Sequence, residues 1–263
     1  MDGDTVLVDV QGSVARITLN RADVHNAFDD RLIATLTARL RELDASAQVR
    51  VVVLAANGKS FSAGADLNWM KRMAAYSEAE NLRDAVGLGD LMHTLSTLSK
   101  PTIARVQGAA YGGGVGLVAC CDIAVGTPET SFSLSEVRLG LIPAVISPHV
   151  VAAVGERQAR RYFLTAERFD ATQAHRMGLL HEIVDASQLD ARIDEIIAHL
   201  LKGGPKSQTA AKRLIEAVVN RPIDRALVED TAERIARIRV TPEGREGVAA
   251  FLDKRAPGWV GEA

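Results

Sequence analysis

The sequence predicts an α/β fold, because strand-like and helix-like segments alternate along most of its 263 residues. Apolar runs typical of buried strands occur at residues 50–55 and 102–106. Each run is followed by a turn of small residues, at 61–67 and 111–117, and then by a segment that fits a helix. The order strand–helix–strand therefore recurs, and both turns open towards the same kind of site.

The N-terminal part is predicted to contain two strands and an amphipathic helix. The strands, at 5–10 and 14–20, are joined by a glycine-containing turn, and one face of the second strand is entirely apolar. The helix, at about 29–44, has leucines at positions 32, 36, 40 and 43, which fall on one stripe. Such a stripe is typical of a helix that packs against a core.

The middle of the chain repeats this alternation with a longer helix. That helix, at 78–99, ends before Pro101, because a proline disfavours helical geometry in the residue before it. After the strand at 102–106, the glycine-rich turn leads into a short helix that ends near Cys120. Two short strands, at 122–125 and 131–134, complete this part.

After about residue 156 the chain is predicted to be mostly helical. One strand, at 180–184, returns to the sheet. Helices are expected at 156–164, 171–177, 187–202, 206–219, 223–238 and 242–254. We therefore divide the chain into a core, residues 1–202, and a helical C-terminal region, residues 203–263, which is expected to form a cap or a contact between subunits.

Composition and charge argue against several classes of function. The net charge of −2 gives the chain no overall attraction to nucleic acid or to an anionic membrane surface. No apolar run reaches the ~18 residues of a membrane-spanning helix. The two cysteines, Cys120 and Cys121, are adjacent, which is a poor arrangement for a structural disulfide and typical of a reducing compartment. We therefore expect a soluble, cytoplasmic protein.

Common motifs for nucleotide, metal and hydrolase sites are absent from the sequence. There is no P-loop pattern, and the glycines at 112–116 do not fit the dinucleotide pattern, because Leu117 occupies its third glycine position. No H-E-x-x-H zinc pattern or G-x-S-x-G elbow occurs, and the six histidines are scattered. We therefore expect neither a metal site nor a redox cofactor.

The two small-residue turns predict a site for an oxygen that gains negative charge. Glycine and alanine let a ligand approach the main chain, so that its N–H groups can act as donors. The N-terminus of the following helix adds further free N–H groups. Two such turns that meet in space would stabilise a developing oxyanion. The acidic residue that is placed to act on the bound molecule is Glu136.

Residues 62–67, followed by residues 107–114, resemble the crotonase superfamily of enoyl-CoA hydratases and isomerases. Further fragments of this resemblance occur in the same order at 19–21, 25–27, 121–124, 136–143, 174–179 and 251–255. The resemblance covers nearly the whole chain. It implies a spiral of strand–strand–helix units with a helical C-terminal trimerisation region, assembled as a homotrimer or as a hexamer of two trimers.

The same resemblance implies roles for individual residues at an acyl-CoA thioester site. The main-chain N–H groups of Ala65 and Gly113 would hold the thioester oxygen, and Glu136 would be the catalytic glutamate. Coenzyme A, which is part of the substrate rather than a cofactor, would be bound by the first turn and by the C-terminal tail, often that of a neighbouring subunit. The residues implied are Ala63, Asp66 and Leu67 in the turn, and Phe251 and Lys254 in the tail.

One position departs from the two-glutamate hydratases of this superfamily. Their second glutamate lies three residues after the middle glycine, where this chain has Gly116. Two functions remain: a hydratase in which Glu136 performs both proton transfers, or a Δ3-Δ2-enoyl-CoA isomerase, for which one carboxylate suffices. A third alternative is a non-catalytic module that binds acyl-CoA or RNA, although the net charge of −2 argues against nucleic acid.

A finer resemblance favours the hydratase. Residues 61–70 and 141–148 resemble the methylglutaconyl-CoA hydratases of leucine degradation and their isohexenylglutaconyl-CoA relatives. Residues 144–147 replace the glycine-rich stretch that is usual after the Ile-Pro pair. Substrates of this kind carry a carboxylate far from the thioester. The candidates to bind it are Arg138, Lys71, Arg72 and His149, and nothing in the sequence selects among them.

Overall fold

The computed structural model describes residues 4–260, and it confirms the α/β fold that the sequence predicts. The outer limits of the two predicted regions, residues 1 and 263, lie outside this range. The strands are β1 (Val6–Gln11), β2 (Val14–Leu19), β3 (Val51–Ala56), β4 (Thr102–Val106), β5 (Ala109–Tyr111), β6 (Ile123–Gly126), β7 (Ser131–Ser133), β8 (Phe169–Asp170) and β9 (Glu182–Ile183).

Several helices begin at side chains that accept hydrogen bonds from the free N–H groups of the first turn. Asp29 accepts from Leu32 at the start of α1, and Ser77 forms a capping box with Glu80 at the start of α3. No helix in the described part of the chain is long and apolar enough to cross a membrane. The helices are α1 (Asp30–Ala45), α2 (Leu67–Met73), α3 (Glu78–Ser96), α4 (Gly113–Cys120), α5 (Ser147–Thr165), α6 (Ala171–Met177), α7 (Leu189–Leu201), α8 (Pro205–Val218), α9 (Arg225–Arg239) and α10 (Pro242–Leu252).

Within the described residues, six strands form one sheet in the order β1-β2-β3-β4-β6-β9. Strands β1 and β2 are antiparallel, and all other neighbours in this sheet are parallel. Three short strands, in the order β5-β7-β8, form a second sheet. Because β3 and β4 are parallel neighbours, the turns that follow them leave the large sheet at the same edge.

Both faces of the large sheet are covered, which explains the unbroken apolar run of β3. On one face, Leu54 belongs to the larger core cluster, together with residues of α1 such as Leu36. On the other face, Val51 and Val53 belong to a second cluster with Ile193 of α7. A parallel strand that is buried on both faces carries apolar residues at every position instead of alternating.

Helix α5 begins at Ser147, nine residues before the start predicted at 156. It consists of two helical segments that meet at Gly155, where the φ of 76° is left-handed and non-helical. The periodicity therefore predicts only the second segment. The sequence also does not predict β5 and β8, which are three and two residues long.

The C-terminal helices α8, α9 and α10 pack against one another and are tied to the sheet through Arg50. The guanidinium of Arg50, which lies just before β3, donates to the carbonyl oxygens of Gly203 (2.5 Å) and Trp259 (2.8 Å). Apolar side chains on and between these helices remain exposed, among them Ile223 and Phe251. The role of this region as a contact between subunits stays a prediction.

Asn26 joins three segments around the first turn. Its fully buried side chain accepts a hydrogen bond from the main-chain N–H of Arg21 (2.8 Å) and donates to the carbonyl oxygens of Asn57 (2.8 Å) and Ser60 (2.9 Å). Its φ of 53° is left-handed, a conformation that asparagine adopts more readily than most residues. The loop before α1 is thereby fixed against the segment that leads into the first turn.

Replacing Asn26 with alanine is expected to destabilise the protein by about 2–4 kcal/mol, because three main-chain groups, among them the buried carbonyl of Ser60, lose their partner. Asn220 is an exposed residue with a similar φ of 57°, so Asn220→Ala measures the backbone effect alone. Urea unfolding of the two variants separates the contributions. Equal losses of stability in both would show that the buried hydrogen bonds of Asn26 contribute nothing.

Candidate active site

The first turn, residues 61–67, presents the main-chain N–H of Ala65 without an acceptor. Phe28 pairs with this turn on both sides of Ala65. Its N–H donates to the carbonyl of Gly64 (2.7 Å), and its own carbonyl accepts from the N–H of Asp66 (2.8 Å). This pairing directs the N–H of Ala65 away from Phe28. Within residues 4–260 that N–H has no hydrogen-bond acceptor, and Ala65 is exposed.

The second turn leads to Gly113, the first residue of α4, whose N–H also has no acceptor in the described chain. Gly112, just before it, has a φ of 50° and a ψ of −118°, a conformation that suits only glycine. The N–H of Gly112 donates to the carbonyl of Ser133 in β7 (2.9 Å). Space is a second reason for glycine, because a Cβ on Gly112 would lie 3.2 Å from Oε1 of Glu136.

Main-chain contacts hold the two turns side by side. Ser62 pairs with β5 through two hydrogen bonds of 3.0 and 2.8 Å. A Cβ on Gly112 would lie 3.8 Å from Cα of Gly64, so the two glycine main chains are in near contact. The residues that carry the free N–H groups, Ala65 and Gly113, directly follow these two glycines. Paired donors of this kind are what a developing oxyanion requires.

Glu136 begins a 3-10 helix, Glu136–Leu139, and its carboxyl group faces the second turn. Oε2 is buried and has no hydrogen-bond partner in the described chain. Burial raises the pKa of this carboxyl above its ordinary value. A buried carboxyl oxygen without a partner is free to bind a water molecule or to exchange a proton with a ligand. The structure thus brings Glu136 together with Gly113 and Ala65, whose roles remain predictions.

At Gly116, helix α4 contacts Ile146 and Met92 so closely that no side chain fits. A Cβ there would lie 2.4 Å from Cγ2 of Ile146 and 3.1 Å from Cε of Met92. An apolar wall therefore occupies the volume that a second glutamate would need. Gly116 lies in α4 four residues after Gly112, the glycine that faces the carboxyl group of Glu136. The sequence signal for this close packing is the glycine at position 116, which lies inside a predicted helix.

The carboxylate of Asp66 has structural partners. It caps α2 by accepting from the N–H groups of Asn68 (2.8 Å) and Trp69 (3.2 Å), and it accepts from Arg21 (3.1 Å). Burial alone raises the pKa of Asp66, but these hydrogen bonds and the charge of Arg21 outweigh it and hold the pKa below its ordinary value. Because the carboxylate is already engaged, its contact with coenzyme A stays a prediction.

The other residues predicted to bind coenzyme A lie in two separate places. Ala63 and Leu67 belong to the first turn, and Leu67 is 73% exposed. Phe251 and Lys254 are exposed at the end of α10, which packs against α8 and α9. Whether this tail reaches the ligand of a neighbouring subunit stays a prediction.

The four candidates for binding a distal carboxylate differ in availability. Arg72 is already paired with Asp30 (2.5 Å). Burial lowers the pKa of His149, which favours the neutral ring. Arg138 and Lys71 are exposed, and neither has an ion pair or a side-chain hydrogen bond within the described residues. The structure therefore leaves Arg138 and Lys71 as the two free cations of this set.

Comparison with known proteins assigns the chain to a family. Residues 9–262 match the enoyl-CoA hydratase/isomerase family. The chain belongs to this family. It is 36% identical over 259 residues to a protein of Rhizobium meliloti called "Probable enoyl-CoA hydratase", and the match covers 97% of each chain.

Solved structures of similar proteins have the same fold. The crystal structure of an enoyl-CoA hydratase from Shewanella pealeana has a TM-score of 0.95 and 47% identity, and the match covers 97% of this chain and 96% of that one. Pseudomonas aeruginosa AtuE has a TM-score of 0.93 and 35% identity, with 98% of this chain and 100% of that one covered. Since the family includes hydratases and isomerases, the choice between them depends on the site itself.

Gly116→Ala is expected to destabilise this family member by about 1–3 kcal/mol, because the added methyl group displaces Ile146 or Met92. Gly87 in α3 provides a matched control, since a Cβ there would meet nothing within 4 Å. Gly87→Ala is expected to stabilise by up to about 1 kcal/mol, because alanine has the higher helix propensity. Thermal unfolding measures both. Changes of the same sign in the two variants would contradict the apolar wall at Gly116.

Proposed function

We propose that the protein is an enoyl-CoA hydratase, which adds water across the 2,3-double bond of an acyl-CoA thioester. The observation that carries this proposal is the carboxyl group of Glu136, whose buried Oε2 has no partner, beside the turns that carry the free N–H groups of Ala65 and Gly113. Two unused donors complement a thioester oxygen, and an unused acceptor complements a water molecule next to the reacting carbons.

The two N–H groups hold the thioester oxygen in this proposal. As water adds to C3, electrons move through C2 onto this oxygen, and an enolate-like state forms. Donors that are fixed before the reaction stabilise the new charge without reorganising. Loss of one such donor in comparable sites costs about 3–4 kcal/mol of transition-state stabilisation.

Glu136 transfers the proton twice. Its carboxylate takes a proton from water as the C3–O bond forms, and the resulting carboxylic acid gives that proton to C2 as the enolate collapses. The enzyme thereby returns to its starting state, and the chemistry needs neither a metal nor a redox cofactor. The raised pKa suits this exchange, because a general base works best when its pKa approaches the working pH.

A Δ3-Δ2-enoyl-CoA isomerase is the second candidate, and it is favoured by the apolar wall at Gly116. An isomerase needs one group that removes a proton from C4 and delivers it to C2, and a second carboxylate has no part in this. A 3-enoyl-CoA substrate separates the two functions. An isomerase shifts the double bond of the 3-enoyl-CoA at constant mass. A hydratase acts on a 2-enoyl-CoA instead, and its product gains the mass of water.

Within the hydratase function, we propose a substrate with a carboxylate remote from the thioester, such as methylglutaconyl-CoA of leucine degradation or isohexenylglutaconyl-CoA. The resemblance of residues 61–70 and 141–148 supports this class. The free cations Arg138 and Lys71 support it as well. We favour Arg138, because it lies on the same short 3-10 helix as Glu136.

We also propose that the protein assembles as a homotrimer or hexamer in the cytoplasm. Exposed apolar residues in the C-terminal region support assembly, and the buried, unpaired Cys120 and Cys121 suit a reducing compartment. An RNA-binding module has less support. Lys212, in the C-terminal region, donates to Asp122 (2.7 Å) and to the carbonyl of Lys100 (3.1 Å), so it is already engaged.

Glu136→Gln is expected to abolish hydration while acyl-CoA binding stays nearly intact, because glutamine keeps the shape of the side chain but cannot exchange the proton. Mass gain of water across crotonyl-, methylglutaconyl- and isohexenylglutaconyl-CoA measures the reaction. The exposed Glu216 on α8 provides the control, and Glu216→Gln should keep full activity. Hydration by the Glu136→Gln variant would refute the proposal.

The raised pKa of Glu136 can be tested in two ways. In the wild-type protein the group must be ionised to act as a base, so kcat/KM should fall as the pH drops through a pKa above the ordinary ~4.3. The second test is stability. The folded protein binds the proton of Glu136 more tightly than the unfolded chain does, so this group contributes fully to the free energy of unfolding below the ordinary pKa of a glutamate. That contribution is lost as the pH rises through the raised pKa of the folded state. Glu136→Gln should therefore raise the melting temperature at neutral pH, and this gain should vanish in acid.

Arg138→Gln is expected to raise KM for methylglutaconyl-CoA about 10-fold or more, because a hydrogen bond to a charged group contributes about 1.5–3 kcal/mol. Crotonyl-CoA has no distal carboxylate, so its KM should stay unchanged. Lys71→Gln tests the other free cation, and Arg157→Gln, at an exposed site on α5, is the control. Equal changes of KM for the two substrates would contradict binding of a distal carboxylate by Arg138.

A further inference from the structure

We propose that Phe28 is a positioning residue, which fixes the spacing of the two main-chain donors at Ala65 and Gly113. The inference rests on the proposed function, because it concerns the same pair of donors. Phe28 lies in the loop before α1 and is buried, with 2% of its surface exposed. Its main chain bonds to the residues on either side of Ala65, and its side chain packs against Gly113.

The main chain of Phe28 orients the first donor. Its N–H and carbonyl groups bond to Gly64 and Asp66, the residues on either side of Ala65, at 2.7 and 2.8 Å. A residue whose two neighbours are both held cannot turn its own N–H freely. The direction of the Ala65 N–H is therefore set by the backbone of residue 28, and a side-chain substitution there leaves these bonds in place.

The side chain of Phe28 supports the second donor. Its ring atoms Cε2, Cδ2 and Cζ lie 3.1, 3.3 and 3.5 Å from the point where a Cβ on Gly113 would be. The ring therefore packs directly against the main chain of Gly113, which explains why this position carries no side chain. A smaller residue at position 28 would leave a gap into which the first turn of α4 could move.

Phe28 is itself held by its neighbours along the chain. Asp29 caps α1 by accepting from the N–H of Leu32 (2.7 Å), and Arg21 donates to the carbonyl of Ala27 (2.6 Å). The backbone of Phe28 is thus a fixed reference point for both donors. Two donors that share one oxygen require such fixed spacing, since a displacement of about 1 Å can cost about 100-fold in rate.

The test compares Phe28→Leu and Phe28→Met with Phe169→Leu, which removes the same kind of ring from another buried site. Leucine leaves a gap beneath Gly113, whereas the flexible methionine fills most of it. We expect Phe28→Leu to lower kcat about 10- to 100-fold with at most an about 3-fold change in KM. Phe28→Met should lower kcat less, and Phe169→Leu should lose stability but keep its kcat.

Acetoacetyl-CoA provides a readout that does not depend on turnover. Its enolate carries negative charge on the thioester oxygen, so paired donors favour the enolate, and the ultraviolet absorbance of the enolate measures how much forms. Phe28→Leu should weaken this band by a factor similar to its loss of kcat. A residue that only stabilises the fold would leave the band of the folded protein unchanged.

An unchanged kcat and an unchanged enolate band in folded Phe28→Leu would overturn the inference. If the leucine variant does not fold, the methionine variant decides in the same way: a weakened band supports the inference, and a full band overturns it. Failure of the proposed function looks different. A wild-type protein that forms the enolate but hydrates no enoyl-CoA would refute the hydratase and leave the test of Phe28 intact, whereas a wild type without the band would overturn the inference.

Discussion

The parallel pairing of β3 with β4 is the constraint on which the site depends. Because these neighbours run in the same direction, the turns that follow them leave one edge of the sheet and meet where Ser62 pairs with β5. At that point Gly64 and Gly112 approach each other with φ values of 93° and 50°, which residues with a side chain rarely adopt. The free N–H groups of the next two residues follow from this backbone path.

Polar groups at the site fall into two kinds. Asn26 and Asp66 are fully engaged with the protein, because each makes at least three hydrogen bonds that fix loops or a helix start. Glu136 and the two free amides have no such partners in the described chain. A buried carboxyl oxygen without a partner costs stability, and it lies beside two unused main-chain donors, so this is the part of the protein that a bound molecule would complete.

Local features of this fold could be predicted from the sequence, but contacts between distant residues could not. Strand β4 and helix α6 have the predicted limits, because periodicity and the flanking proline or glycine are encoded nearby. The packing of Phe28 on Gly113 and of Ile146 on Gly116 joins residues far apart in the chain, and no local pattern encodes it. Asp66 is another case, since its motif implies a ligand contact while its carboxylate serves a helix cap.

Arg50 connects the end of the chain to the strand that leads into the first turn. Its guanidinium donates hydrogen bonds to the carbonyl oxygens of Gly203 and Trp259, and it has no ion-pair partner within residues 4–260. The C-terminal helices and the first turn are therefore both connected to strand β3. Removing Trp259 and the residues after it would release one of the two hydrogen bonds of Arg50, and the strand that Arg50 precedes leads directly towards the turn that presents the free N–H of Ala65.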